Sequence, residues 1–309
     1  MSDRSILSAA KPGSGKYKRQ IPLHFMMIPA IVITAIFAYV PMFGLIMAFQ
    51  DFVPAKGFLG SAFVGLANFT RLFNMRGVTR LFWNTFYISA MKVVANQIFP
   101  IILAVLLNEI RIRFFKKTVQ TILYLPYFIS WVILGGILKD FLALDGMVNG
   151  FLGILDIQAI PFLGSNAVFP YTLVVTDLWQ NAGFNTVVFL AAITSVNLEL
   201  YEAATVDGAN RARLCWHITL PAMRPIIILT ATLALGNLFQ AGFDQVFMLY
   251  NVAVMESGDI IDTFVYRTGI LAQQYSLGTA VGLFKSIVSL ILVSSSYYLA
   301  YRFSDYRIF

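Results

Sequence analysis

Six stretches of the sequence, residues 22–50, 81–108, 119–138, 169–196, 220–250 and 277–303, are long and predominantly apolar, with their charges displaced toward the ends. A helix rises about 1.5 Å per residue, so about 20 such residues cross a hydrocarbon core about 30 Å thick. Inside that core every backbone polar group must be paired, and a helix pairs them within one segment. The expected fold is all-α, a polytopic integral membrane protein with six transmembrane helices. Composition agrees: 59% of the 309 residues are hydrophobic and 12% are charged, against about 25% charged in soluble domains. A cytosolic enzyme, a nucleic-acid binder and a disordered chain are thereby excluded. The first apolar stretch, interrupted by Pro29 and Pro41, is too long for the apolar region of a cleaved signal peptide.

Charge sets the orientation. Fourteen Lys and Arg residues fall on one side: Arg4, Lys11, Lys16, Lys18, Arg19, Arg111, Arg113, Lys116, Lys117, Arg211, Arg213, Arg224, Arg302 and Arg307. Six fall on the other: Lys56, Arg71, Arg76, Arg80, Lys139 and Arg267. By the positive-inside rule both termini are cytoplasmic. The expected organisation is a cytoplasmic N-tail over 1–21, a first transmembrane helix over 22–50 and an external loop over 51–80. A five-helix core over 81–303 follows, containing a cytoplasmic loop at 197–219, and then a C-tail over 304–309. The net charge of +7 thus reads as topology, with no nucleic-acid partner implied.

Resident chemistry is scarce. The single cysteine, Cys215, cannot form an internal disulfide, and two histidines without a second thiol do not make a standard structural zinc site. The segment Lys11-Pro12-Gly13-Ser14-Gly15-Lys16-Tyr17 ends like a phosphate-binding loop, but Ala10 stands where such a loop needs Gly and Tyr17 where it needs Ser or Thr. No metal and no cofactor are expected in this chain, and any work driven by ATP needs a separate ATPase chain.

The loop between the fourth and fifth stretches is more specific. Asn197 can cap a short helix carrying Glu199 and Glu202 near its positive end. Gly208 then breaks it, a second short helix carries Arg211, Arg213, Leu214 and Trp216, and Pro221 can open the next span. Glu202-Ala203-Ala204, followed by Asp207-Gly208-Ala209 and by Ile218-Thr219-Leu220-Pro221, resembles the EAA loop of the membrane subunits of type I ABC importers. Cys215 departs from the pattern, since many members carry Phe there, so Trp216 or Leu214 is left to supply the apolar knob. The resemblance extends from about Ile21 to the end of the chain. The segment from Pro41 through Gln50 to Asp51, Val64-Gly65-Leu66-Ala67-Asn68-Phe69, Gly242-Phe243-Asp244-Gln245, and the segment from Asp259 to Gly269 look like the oligosaccharide branch, including alginate-type importers.

That resemblance implies a permease subunit of the inner membrane of a prokaryote that catalyses no covalent chemistry. It implies a coupling helix docked on an ATPase subunit through Glu202, Ala203, Ala204, Asp207, Gly208, Leu214 and Trp216. It further implies two ATPase subunits holding ATP and Mg, a second permease subunit, usually a different chain in this branch, and an extracytoplasmic solute-binding protein that delivers the oligosaccharide.

Polar side chains inside the spans mark a path, because they are costly in lipid and normally face the protein interior or water. In the fourth stretch Asp177, Gln180, Asn181, Phe184 and Asn185 share one helical face with Trp179 at its edge. The fifth repeats the device with Asn237, Gln240, Asp244 and Gln245, and the second offers Asn84, Lys92 and Asn96 with Tyr87 nearby. Amides replace the hydration of sugar hydroxyls and aromatic faces stack on rings. The expected substrate path therefore comprises Asn84, Tyr87, Trp179, Asn181, Phe184, Asn185, Asn237, Gln240, Phe243 and Asp244. Lys92 can alternatively pair with Asp177 or Asp244, Lys285 can form a similar pair, and Gly278 to Gly282 reads as helix packing. The rival readings are an ion-coupled secondary transporter, which lacks a visible half-to-half repeat, and an embedded enzyme, which lacks a third partner for Asp177 and Asp244.

Overall fold

In the computed structural model, residues 15–304 are described, with side chains over 24–298. The outermost parts of both tails, including Arg4, Lys11 and Arg307, lie outside the described residues. Among the described residues four helices are long and apolar enough to cross a membrane, or up to six spans if each of two bent helix pairs counts as one.

Helix α1 (Gly15–Thr34) continues through a π turn (Ala35–Tyr39) into a 3-10 segment (Val40–Phe49). Pro41 has no N–H to give to the preceding turn, so the regular helical ladder is interrupted there. The span from His24 to Tyr39 buries no residue against the rest of the chain, and so offers its whole apolar surface to lipid or to another chain. The short strands β1 (Gln50–Asp51) and β2 (Ala62–Phe63) pair antiparallel. Helix α2 (Ala67–Asn74) brings in buried Asn68, whose Nδ2 donates to the carbonyls of Ala48 and Gln50 at 3.0 and 2.9 Å. The side chain thereby satisfies the carbonyls left open where the first span ends.

The core is built on α3 (Val78–Glu109), which packs along α7 (Phe169–Thr194). Ile88, Phe169, Leu173, Val246 and Leu249 fill one apolar cluster, and Leu72, Leu81, Ile261, Leu277 and Val281 another. A third, Ala104, Phe189, Ile193 and Met223, lies toward the far end of α3.

Two expected spans are not straight helices. The third is α4 (Arg113–Tyr124), a 3-10 turn with Pro126, and α5 (Trp131–Phe141), meeting at a bend of 106°. Gln180 Nε2 donates to the carbonyl of Ile129 at the bend, at 3.0 Å. Gly183 makes the approach possible, since any Cβ there would overlap the carbonyl of Leu123. After α6 (Met147–Ile154) and α7, the loop forms α8 (Leu198–Val206) and α9 (Arg211–Leu214).

The fifth expected span fails at both ends. Its helix does not begin at Pro221: it runs unbroken from Arg211 to Leu235, through a π turn over Cys215–Thr219 and α10 (Leu220–Leu235). It then stops fifteen residues short of Tyr250. Residues 236–242 form an irregular turn, and α11 (Phe243–Leu249) starts afresh after Gly242, whose φ is +85°. Helix α12 (Ile261–Val265) precedes the last span, α13 (Tyr275–Ser304). Gly278 meets Gly269 backbone to backbone, as the small-residue pattern implies, but Gly282 faces open space.

Candidate functional site

The loop folds as its sequence dictates. Asn197 Oδ1 accepts from the backbone N–H of Glu199 at 3.0 Å, and Asn210 Oδ1 caps the second helix through Arg213 N–H at 2.9 Å. Gly208 sits between them at φ +79° with nothing near its missing Cβ, so it is needed for backbone conformation and not for space. Glu202, Ala203, Asp207 and Trp216 are exposed, Ala204 and Leu214 half-buried, and Trp216 is 70% exposed. Two contacts tie the loop to the spans. Arg211 pairs with Glu109 at the end of α3, 3.1 Å away, and the Tyr201 and Thr219 hydroxyls lie 3.0 Å apart.

Between α3, α7, α10 and the 236–242 turn lies a cleft of about 410 Å³. Lys92, at its wall, is about 21 Å along α3 from Val78 and about 25 Å from Glu109 at 1.5 Å per residue, so the cleft sits at mid-span. Lys92 Nζ lies 3.3 Å from Asp177 Oδ1, donates to the carbonyl of Ala241 at 2.7 Å and also donates to Gln245 Oε1. Gln245 in turn donates to Leu173 O and Thr176 Oγ1. Asp177 Oδ2 accepts from Asn96 at 2.8 Å, and Asn96 Oδ1 accepts from Asn185 at 3.2 Å.

The charges cancel within the wall, leaving a surface of neutral donors and acceptors. The Asn237 and Gln240 amides are exposed beside the cleft and have no side-chain hydrogen bond among the described residues. The Ser89 hydroxyl, also at the wall, is buried without a partner. These groups can meet the hydroxyls of a polar solute with no net charge to repel it.

Three of the ten expected path residues, Asn185, Asn237 and Gln240, line this cleft. The others do not, and most are engaged elsewhere. Asn84 donates to the carbonyls of Glu256 and Asp259. Tyr87 meets the Tyr171 hydroxyl at 3.1 Å. Trp179 lines a separate apolar recess. Asn181 turns back to the carbonyl of Asp177. Phe184 stacks on Tyr127 at 4.0 Å, and Phe243 stacks on Phe247 at 5.3 Å. Asp244 is exposed on α11. The stripe from Asn237 to Asp244 does not exist as a helical face, because the helix has ended. The expected pairing of Lys92 fell to Asp177, and Lys285 pairs with Asp262 at 2.5 Å. Gln97 and Thr230, bonded to each other at 3.0 Å at the wall, escaped the sequence reading; Gln97 follows Ser89, Lys92, Val93 and Asn96 at helical spacing. Outside the spans, Arg267 donates two hydrogen bonds to the Asp259 carboxylate, which stabilise its charged form and raise its pKa.

Comparison with known proteins fits this geometry. The chain is 41% identical over 295 residues, 95% of its length and 92% of the relative's, to the polygalacturonan/rhamnogalacturonan transport system permease protein YteP of Bacillus subtilis (strain 168). A bacterial ABC transporter involved in import of the acidic polysaccharide alginate contains a chain with TM-score 0.85 and 35% identity, covering 94% of this chain and 98% of that one. The same TM-score is found with a bacterial alginate ABC transporter in complex with an alginate pentasaccharide-bound periplasmic protein, over 93% and 96% of the two chains. Residues 97–309 match the family described as binding-protein-dependent transport system inner membrane component, and the chain, a multi-pass helical membrane protein, belongs to that family.

Proposed function

We propose that this chain forms part of the translocation path of an ATP-driven importer, with the cleft around Asn185, Asn237 and Gln240 as its sugar-contacting wall. The single observation that carries the reading is that cleft: the Asn237 and Gln240 amides without side-chain bonds among the described residues at mid-span, beside a charge pair neutralised from within. The resemblance to permeases whose names specify polysaccharide import supports an oligosaccharide as the solute. Both termini and the 197–219 loop lie in the cytoplasm, where Glu202, Gly208, Leu214 and Trp216 meet one of two ATPase subunits that hold ATP and Mg. A second permease chain completes the path, and an extracytoplasmic binding protein delivers the sugar, a reading supported by the similar alginate transporter's complex with a pentasaccharide-bound periplasmic protein.

The mechanism follows from how the loop is attached. Movement of an ATPase subunit displaces α8; the Tyr201–Thr219 contact carries the displacement into the continuous helix Arg211–Leu235 that contains α10, and the Arg211–Glu109 pair passes it from that helix to α3. Both helices line the cleft, so its walls move against α7.

Reconstitution tests this. The assembled transporter in proteoliposomes is expected to take up oligosaccharide only with ATP. Asn185→Ala or Gln240→Ala should change the ratio of uptake of two competing oligosaccharides by a few-fold, since one lost hydrogen bond is about 0.5–1.5 kcal/mol. Unstable complexes with an unaltered ratio would return these amides to helix bonding.

A further inference from the structure

At the end of α3 opposite the 197–219 loop, a second cleft of about 320 Å³ opens between residues 75–84 and 255–267. Three guanidinium groups, Arg76, Arg80 and Arg267, face two carboxylates there, Glu256 and Asp259. The two ion pairs differ in kind. Asp259 grips Arg267 with bonds of 2.7 and 3.1 Å and also accepts from Thr263 Oγ1 at 2.8 Å. Arg80 reaches Glu256 by one contact of 2.6 Å, with the two side chains 59% and 60% exposed. A pair so exposed is weak and exchanges readily. Arg76 is exposed and makes no ion pair among the described residues.

The cleft thus carries one unbalanced positive charge and a second that is loosely held. Its walls are fixed: Asn84 on α3 donates to the carbonyls of Glu256 and Asp259 at 2.9 and 3.3 Å, joining both sides. Asn84 also shares the helical face of Ile88, Lys92 and Asn96, which places the cleft about 12 Å along α3 from the central one.

A guanidinium fork matches a carboxylate with two parallel hydrogen bonds. We propose that this outer cleft is a carboxylate subsite through which the permease selects acidic oligosaccharides, with Arg76 as the first contact and Arg80 recruited from Glu256. The proposal rests on the import reading above and adds the substrate's charge to it. Uronate carboxylates enter past Arg76 before the sugar reaches the neutral amides below. An acidic side chain of the binding protein has the same chemistry, and the test separates the two.

The test uses the assembled transporter in proteoliposomes, with its binding protein saturated either by a short oligogalacturonate or by the carboxyl-reduced, neutral oligosaccharide made from it. Wild type is expected to favour the acidic sugar, and Arg76→Gln to lower acidic uptake about tenfold while lowering neutral uptake far less. Arg80→Gln, whose exposed pair is not needed for folding, should shift the ratio in the same direction by a smaller factor. An unchanged acidic-to-neutral ratio in both variants overturns the subsite. An equal loss for both sugars, with weaker affinity for the loaded binding protein, also overturns it and makes the cleft a protein contact. Wild type that takes up neither sugar removes the import reading and the subsite together, whereas equal uptake of both, insensitive to Arg76→Gln, removes the subsite alone.

Discussion

Lys92 and Asp177 offer a perturbation whose size follows from geometry. Their side chains are 8% and 16% exposed, 3.3 Å apart. Replacing Asp177 with Asn keeps an acceptor for Asn96 but leaves the ammonium with only Ala241 O and Gln245 Oε1. Replacing Lys92 with Met leaves the carboxylate with Asn96 as its remaining side-chain donor. Removing one partner of a buried pair costs about 3–5 kcal/mol, because the other charge stays behind uncompensated. At about 2–4 °C per kcal/mol, each single variant should melt on the order of 10 °C lower. The double variant carries no stranded charge. It loses only the donor to two oxygens, at about 1–3 kcal/mol each, so it should melt no lower than the worse single variant. Thermal melts of all four proteins in lipid nanodiscs, followed by intrinsic fluorescence, give the coupling, expected to be at least about 2 kcal/mol. Singles within a degree or two of wild type, or a double variant that falls by the sum of the two, would refute the reasoning.

Two further predictions concern the loop and the orientation. Gly208→Val forces a β-branched residue into a left-handed conformation, at about 1–2 kcal/mol, and Glu202→Lys reverses an exposed charge at the docking face. Both should leave the permease inserted while ATP hydrolysis proceeds without transport, and normally coupled transport in both would remove the docking assignment. With Cys215 replaced by Ser, a cysteine at Asn210 should be shielded in intact cells from an impermeant thiol reagent, and one at Val252 should react. Val252 is 87% exposed, whereas Gly258, in the same external segment, packs against the Phe169 ring and cannot accept a side chain. Labelling of Asn210→Cys from outside would invert the topology and separate the loop from ATP.

What the sequence made legible was whatever depends on local periodicity. Apolar length located the stretches that become four long helices and a sharply bent helix pair, though not their ends, and Asn197, Asn210 and Gly208 set the loop because caps and left-handed turns are written in one or two residues. The breaks were harder. Between Leu235 and Phe243, Gly236, Asn237, Gln240 and Gly242 are spaced among apolar residues and read as a polar stripe on a helix rather than as a turn; Lys92, far away in sequence, donates to the Ala241 carbonyl that no helix satisfies. The bend between α4 and α5 depends likewise on Gln180 and Gly183 of another helix. Helical-face arithmetic therefore agrees with the structure in turning Asn185 to the cleft, assumes for Asp244 a continuous helix that the structure breaks, and could not divide the α7 stripe. Asp177 and Asn185 turn toward α3, while Gln180 and Phe184 of the same stripe turn toward the bend.

The central claim is that the cleft at Asn185 and Gln240 carries sugar when the loop drives the spans, and site-directed labelling reads it most directly. In the assembled transporter carrying Cys215→Ser and Gln240→Cys, the rate of modification by a small thiol reagent should differ with and without ATP. During turnover it should fall when sugar-loaded binding protein is supplied, relative to the sugar-free protein. A labelling rate indifferent to both ATP and sugar, in a complex that still transports, would contradict the account.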